Sequence, residues 1–363
     1  MLSKNVLRNT YSFWAVASAA LVGLAVLVAT ADLGTAAGNP KTVAELALYK
    51  GADRQQILED GAKKEGTLTF YTTGILTQNV RPIMNAFQKK YPFIKVRIWR
   101  GSTNVLLPRI LQEYKAGRHS ADVVEGAKSA MLVLQEQGII RPFYFPDLAY
   151  INEDTITKAP GEGAFRVAFR ESHIGLGYNT KLIKREELPK TYQDFLDPKW
   201  KGKIPISSAD AGVMWLAVML TAYGEDFLTR MAEQDFSPQV VSSRGIFDLI
   251  IAGEYTLSPT MFDSHAMFSK QKGASVDWVP LEPVPVLVGE VALAKHAPHP
   301  HAALLLIDFE LSKECAEILK TKGYSPTRKD ITGLKTYKKF YGANSAAEVV
   351  KWRKLYDRLF LKK

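Results

Sequence analysis

Several short stretches bring hydroxyls, guanidinium groups and free backbone amides together at the ends of apolar runs. Arg100, Gly101, Ser102 and Thr103 stand where a strand-like run gives way to a helical one. Backbone N–H groups and hydroxyls at a helix start can cradle an anion, and an arginine beside them can grip it through two parallel hydrogen bonds. Plain N-capping uses the same Ser/Thr oxygen, and both readings stand. Ser207, Ser208 and Asp210 repeat the arrangement ahead of a Met/Leu/Ala-rich helix. Tyr71, Thr72 and Thr73 end the first strand; their hydroxyls can donate to a carboxylate or phosphate, or simply serve a turn. Glu125 follows the Ala-Asp-Val-Val run, where a carboxylate suits an amine, a cation or a sugar hydroxyl, unless it is only a surface residue. Arg244 precedes another helix, either reaching a ligand or staying solvated.

Other reactive types lead elsewhere. His296, His299 and His301 lie in a proline-fixed tract that reads as a surface loop rather than a metal patch. Cys315, the single cysteine, falls on the apolar side of its helix and reads as a small buried hydrophobe. Alone, it forms no intramolecular disulfide and no Cys-based zinc site. P-loop, GxGxxG, HExxH and GxSxG patterns are missing, as are the basic cluster and aromatic platform of a nucleic-acid binder. The 47 Lys and Arg against 37 Asp and Glu give +10, an excess that fits an anionic ligand or an acidic surface.

The elements that must position these residues alternate. Helical spacing covers 42–65 and ends at Gly66. Strands at 67–73, 94–101 and 121–126 interleave with helices at 77–90, 102–117 and 128–138. This predicts a parallel sheet with helices on both faces. The alternation breaks at 165–180, a long apolar-alternating run that can cross between lobes. A helix over 210–223, a helix then a strand over 241–259, and a Pro-punctuated extended stretch over 276–295 follow. Those prolines argue for edge or crossover strands rather than a central one. An amphipathic helix spans 299–323. A basic one spans 345–362, with Trp352, Leu355, Leu359 and Phe360 facing a lobe or a membrane surface. At 363 residues, two domains are expected.

The first 37 residues read as an address. Lys4 and Arg8 precede an uncharged Ala/Val/Leu run, and Ala29-Thr30-Ala31 or Thr35-Ala36-Ala37 supplies a cleavage pattern. An uncleaved anchor is the alternative. Cleavage removes Lys4, Arg8 and Asp32 and leaves +9.

Four stretches resemble the periplasmic solute-binding proteins of ABC importers, within the branch of ferric-ion, thiamine and phosphonate or sugar-phosphate binders. They are EGTLTFYTTG at 65–74, VRIWRGSTNVLLPRI at 96–110, LPKTYQDFLDPKWKGKIPISS at 188–208 and GEVALAKHAPHPHAALLLIDFELSKECAEIL at 289–319. The resemblance implies an α/β, two-lobed periplasmic-binding-protein fold of type II, with a ligand cleft between lobes joined by crossover strands. It implies a signal peptide over 1–37, a first lobe over 38–165, a second over 166–275, a return crossover completing the first over 276–330, and a C-terminal helical segment over 331–363. It also implies a monomer without catalysis, cofactor or nucleic acid, delivering a small solute to an inner-membrane permease or presenting it to a sensor kinase. An enzyme on this scaffold would need a nucleophile in the cleft, and Cys315 lies in another element. Ferric binders carry adjacent tyrosines near 260–268. This chain has Asp263, Ser264 and His265 in what reads as a loop there, and no Tyr-Tyr pair anywhere. Fe³⁺ favours hard oxygen ligands, so the expectation is a small polar, anionic organic solute, with a ferric or other metal ion held by His265 and Asp263 as the alternative.

Overall fold

The computed structural model describes residues 40–161, 163–239 and 241–361. The export segment read at 1–37, and Lys362 and Lys363, lie outside them. No helix among the described residues is long and apolar enough to cross a membrane.

The chain enters through α1 (Val43–Ala47) and α2 (Arg54–Glu65), separated around Gly51 where a single helix was expected. Then β1 (Thr67–Thr72), α3 (Arg81–Lys90), β2 (Lys95–Arg100), α4 (Thr103–Lys115), β3 (Val123–Ala127) and α5 (Lys128–Glu136) follow. β2, β1 and β3 pair in parallel, because each is followed by a helix that returns the chain. Short β4 (Ile140–Arg141) and β5 (Ile156–Ala159) lead into β6 (Gly163–Asn179).

β6 joins two halves of the sheet. Its first part, to His173, pairs with β11 (Val284–Ala294); its last part, from Ile174, pairs with β9 (Leu257–Phe262) and β10 (Val276–Val279). Between them the chain forms β7 (Pro205–Ser207), α6 (Asp210–Ala232), β8 (Ser237–Gln239), α7 (Ser243–Ala252) and α8 (Asp263–Gln271). The 260–268 segment is therefore not a loop but a strand end and the first turns of α8. β11 lies centrally, flanked by β6 and β3, which corrects the edge-strand option. It tolerates this because its one proline, Pro285, falls at its start, before the stretch paired with both β6 and β3.

After β11 come α9 (Pro300–Glu310) and α10 (Lys313–Thr321), two helices in place of one, the second capped by Ser312. Short β12 (Ser325–Pro326) and β13 (Lys339–Phe340) precede α11 (Ala346–Tyr356). Each lobe owns a core. Phe70, Phe87 and Phe309 centre the first; Tyr192, Phe195 and Trp215 centre the second. Tyr192, from the 188–208 motif, donates to the Leu281 and Pro283 carbonyls at 3.1 and 3.0 Å, so this motif staples the second lobe. Trp352, Leu355 and Phe360 pack into the same core, which accounts for the apolar stripe of the C-terminal helix.

Candidate functional site

A cavity of about 690 Å³ opens where four helix starts converge: α4 at Ser102 and Thr103, α6 at Asp210, α7 at Ser242 and Ser243, and α8 at Ser264 and His265. The caps of α4 and α6 use no side chain of their own, so first-turn N–H groups remain for a ligand, whereas at α8 the Ser264 N–H donates to Asp263 at 2.8 Å. Arg100, Arg170 and Arg244 add positive charge, and among the described residues Asp210 is the one acidic residue on the lining. Burial raises the Asp210 carboxyl, against smaller downward pulls from the nearby Thr103 hydroxyl and the Arg353 charge.

Thr73, Arg100, Ser102, Thr103, Ser208, Asp210, Arg244, Ser264 and His265 line the cavity; other residues singled out in the sequence are engaged elsewhere. Tyr71 packs on α4, and its hydroxyl donates to Glu113 there. Thr72 is buried and donates to Glu125. Gly101 donates its N–H to the Thr72 carbonyl at 3.1 Å. Its lack of a Cβ clears Trp99, 2.6 Å from where one would sit. Ser207 is buried; its hydroxyl accepts from the Ala209 N–H and its carbonyl from Tyr356. Asp263 is drawn back to β6 by His173, whose Nδ1 lies 2.8 Å from the carboxylate.

Glu125 is neither on the surface nor open to the cavity. It is buried, accepts from the Gly74 N–H at 3.1 Å and pairs with Arg170. Arg170, Ser172, Ser243 and Tyr324 were not anticipated. Arg170 and Ser172 come from β6, within the polar run Arg170–His173 of a buried strand, and that run is the signal that could have marked them. Arg170 fits because Gly289 faces it: a Cβ there would lie 2.5 Å from the guanidinium carbon. The Arg170 Nε is buried without a partner among the described residues. Tyr324 lies under the guanidinium, 5.3 Å from the ring centroid, and burial pushes its hydroxyl up to about 12.

His265 is buried against Phe262, and its Nδ1 has no partner among the described residues. Burial, aided by the Arg244 charge, pulls its pKa down to about 3, so the ring is neutral at ordinary pH. It can donate one hydrogen bond or accept one without competing for an anion's charge. The lobes touch here: the Gln78 amide, beside the cavity in the first lobe, donates to the Ser264 carbonyl at 3.0 Å.

Among the described residues no three His, Cys, Asp or Glu side chains come together as a metal-holding group. The histidine tract is dispersed. His299 Nδ1 meets Asp122 at 2.9 Å, His301 Nδ1 meets Glu65 at 2.6 Å, and His296 stacks on His119. Cys315 is buried, which with nearby Glu310 pushes its thiol pKa up.

Residues 120–357 match the model of a family described as bacterial extracellular solute-binding protein. A "Putative 2-aminoethylphosphonate-binding periplasmic protein" of Salmonella typhimurium is 25% identical over 228 residues, 58% of this chain and 65% of that one. "Iron uptake protein A1" of Synechocystis is 26% identical over 257 residues, 64% of this chain and 68% of that one. The fold is similar to iron-bound HitA from Pseudomonas aeruginosa, with TM-score 0.67 and 21% identity over 79% of this chain and 98% of that one. It is equally similar to AfuA from Actinobacillus pleuropneumoniae, solved with fructose-6-phosphate, with TM-score 0.66 and 20% identity over 82% and 100%.

Proposed function

The chain belongs to the bacterial extracellular solute-binding protein family and has its two-lobed fold, and on that premise we propose that it captures a small anionic organic solute between its lobes. The solute would be a phosphonate, phosphate ester or carboxylate, taken up in the periplasm and handed to an inner-membrane permease. The observation that carries this reading is the convergence of four helix starts and three arginines on one cavity. Behind its wall the Arg170 Nε and the neutral His265 Nδ1 are buried without partners among the described residues. An anion suits the helix starts and the arginines together. Asp210 suits an ammonium or hydroxyl on the same solute, as in the aminoethylphosphonate for which the Salmonella relative is named.

A ferric ion is the competing cargo, and the Synechocystis relative is named for iron. Against it stand the missing Tyr-Tyr pair and the single tyrosine, Tyr324, on the cavity lining. Native mass spectrometry of protein purified without refolding, followed by calorimetric titration with phosphonates, sugar phosphates, carboxylates and ferric citrate, tests the reading. A released organic anion and micromolar or tighter binding of one class are expected. A bound iron atom with a visible phenolate-to-iron absorption band would overturn it.

A further inference from the structure

We infer that the solute carries an apolar substituent, which passes between Asn104 and Asp210 out of the polar cavity and packs into an adjoining apolar chamber. This deepens the anionic-solute reading and rests on it. The chamber holds about 460 Å³ and is walled by Leu107 of α4, Val133 of α5, Met214 of α6, Val288 of β11 and Val349 and Trp352 of α11. It adjoins the polar cavity across a shared wall: Thr103, Asn104, Ala127, Asp210 and Leu287 line both.

The two spaces differ in chemistry. The larger offers arginines, hydroxyls and helix starts; the smaller offers mostly aliphatic side chains. Its basic groups are partly committed. Lys128 Nζ reaches Asn344 at 3.2 Å, and Arg353 donates to the Ser208 carbonyl at 2.7 Å. Burial lowers the Lys128 pKa. Both lobes build the chamber. α11 packs on the second lobe through Trp352 and reaches the first where the Ala346 N–H donates to Glu136 at 3.2 Å. An apolar group seated there would touch both lobes, as the anionic head does. Such a division, apolar walls with a few convergent polar groups, is the usual make-up of a small-molecule site.

The test is a chain-length series on the purified protein: methyl-, butyl- and hexylphosphonate beside the matching carboxylates, titrated calorimetrically. Affinity is expected to rise roughly fourfold per methylene that enters the chamber. Leu107→Gln and Val349→Gln, both at half-buried positions, should each erase that gain. If methylphosphonate or acetate binds and the series is flat, this inference fails while the anionic reading stands. If no member binds but a sugar phosphate does, this inference fails and the anionic reading stands; if the sugar phosphate fails as well, both readings fail. A gain that survives both substitutions places the tail elsewhere and overturns the inference. So would a dimer in light scattering that Leu107→Gln dissociates, since the chamber would then join two copies of the chain.

Discussion

Replacing His173 with glutamine should remove a large, pH-dependent part of the stability, because His173 ties the crossover strand β6 to the helix that carries His265. Its Nδ1 lies 2.8 Å from Asp263, and its Nε2 lies 3.3 Å from Glu171. Burial opposes the charge on the ring, but the two carboxylates outweigh it and raise the pKa from 6.5 to about 9. At about 1.4 kcal/mol per pH unit, that rise corresponds to roughly 3 kcal/mol. The folded pKa lies above the unfolded one. The contribution is therefore fully present below pH 6.5 and is lost as pH climbs through about 9. Urea unfolding followed by tryptophan fluorescence, at intervals from pH 6 to 10, measures it. The wild type should exceed the glutamine variant by roughly 3 kcal/mol at pH 6, about 5 °C in Tm for a chain of this size, and the gap should close by pH 10. Ligand affinity should weaken over the same range, since Asp263 opens the helix that brings Ser264 and His265 to the cavity. Parallel curves for the two proteins would refute the reasoning: His173 would then be neutral and its carboxylate partners held by other groups, such as the Lys339 that lies 2.6 Å from Glu171.

Three more substitutions probe the buried charges and the close packing beside the cavity. Arg170→Met leaves Glu125 buried without its cation, so a loss of about 3–5 kcal/mol in chemical denaturation and loss of anion binding are expected; unchanged affinity would remove Arg170 from the site. Glu310 is buried, and burial with nearby Glu125 pushes its carboxyl well up, against the pull of Arg170. Glu310→Gln should therefore stay within about 1 kcal/mol of wild type at pH 7 and lose less stability as pH rises; a large loss at pH 7 would show an ionised Glu310 serving Arg170. Gly212→Ala places a Cβ 1.7 Å from the Ser207 carbonyl oxygen, so a loss of about 1–3 kcal/mol in thermal unfolding and weaker ligand binding through a displaced α6 start are expected; wild-type Tm and affinity would show that the turn gives way freely.

How much of this was legible depended on the distance over which each feature is decided. The helix starts at Ser102 and Asp210, and the strand before the first, follow from side-chain periods and from Gly and Ser/Thr punctuation. So does the parallel order of β2, β1 and β3, which the intervening helices impose. Periodicity missed breaks that depend on a few residues, as at Gly51 and Ser312, each inside what reads as one helix.

Tyr71 and Thr73 would share a face in a continued strand, but β1 ends at Thr72, so Thr73 turns to the cavity while Tyr71 packs under α4. Glu125 looked available because its partner, Arg170, stands 45 residues away on the crossover strand. Asp263 is drawn off by His173, 90 residues away, and two histidines of the 296–301 tract are separated by Asp122 and Glu65, 177 and 236 residues distant. The sequence by itself determined the elements, the two-lobed family and the hydroxyl-bearing helix starts, since these rest on local backbone preference and short-range pattern. Only the tertiary structure decided which charges are neutralised within the protein and which are left for a ligand. A buried charge takes its partner from whatever the fold brings within about 3 Å, without regard to separation along the chain.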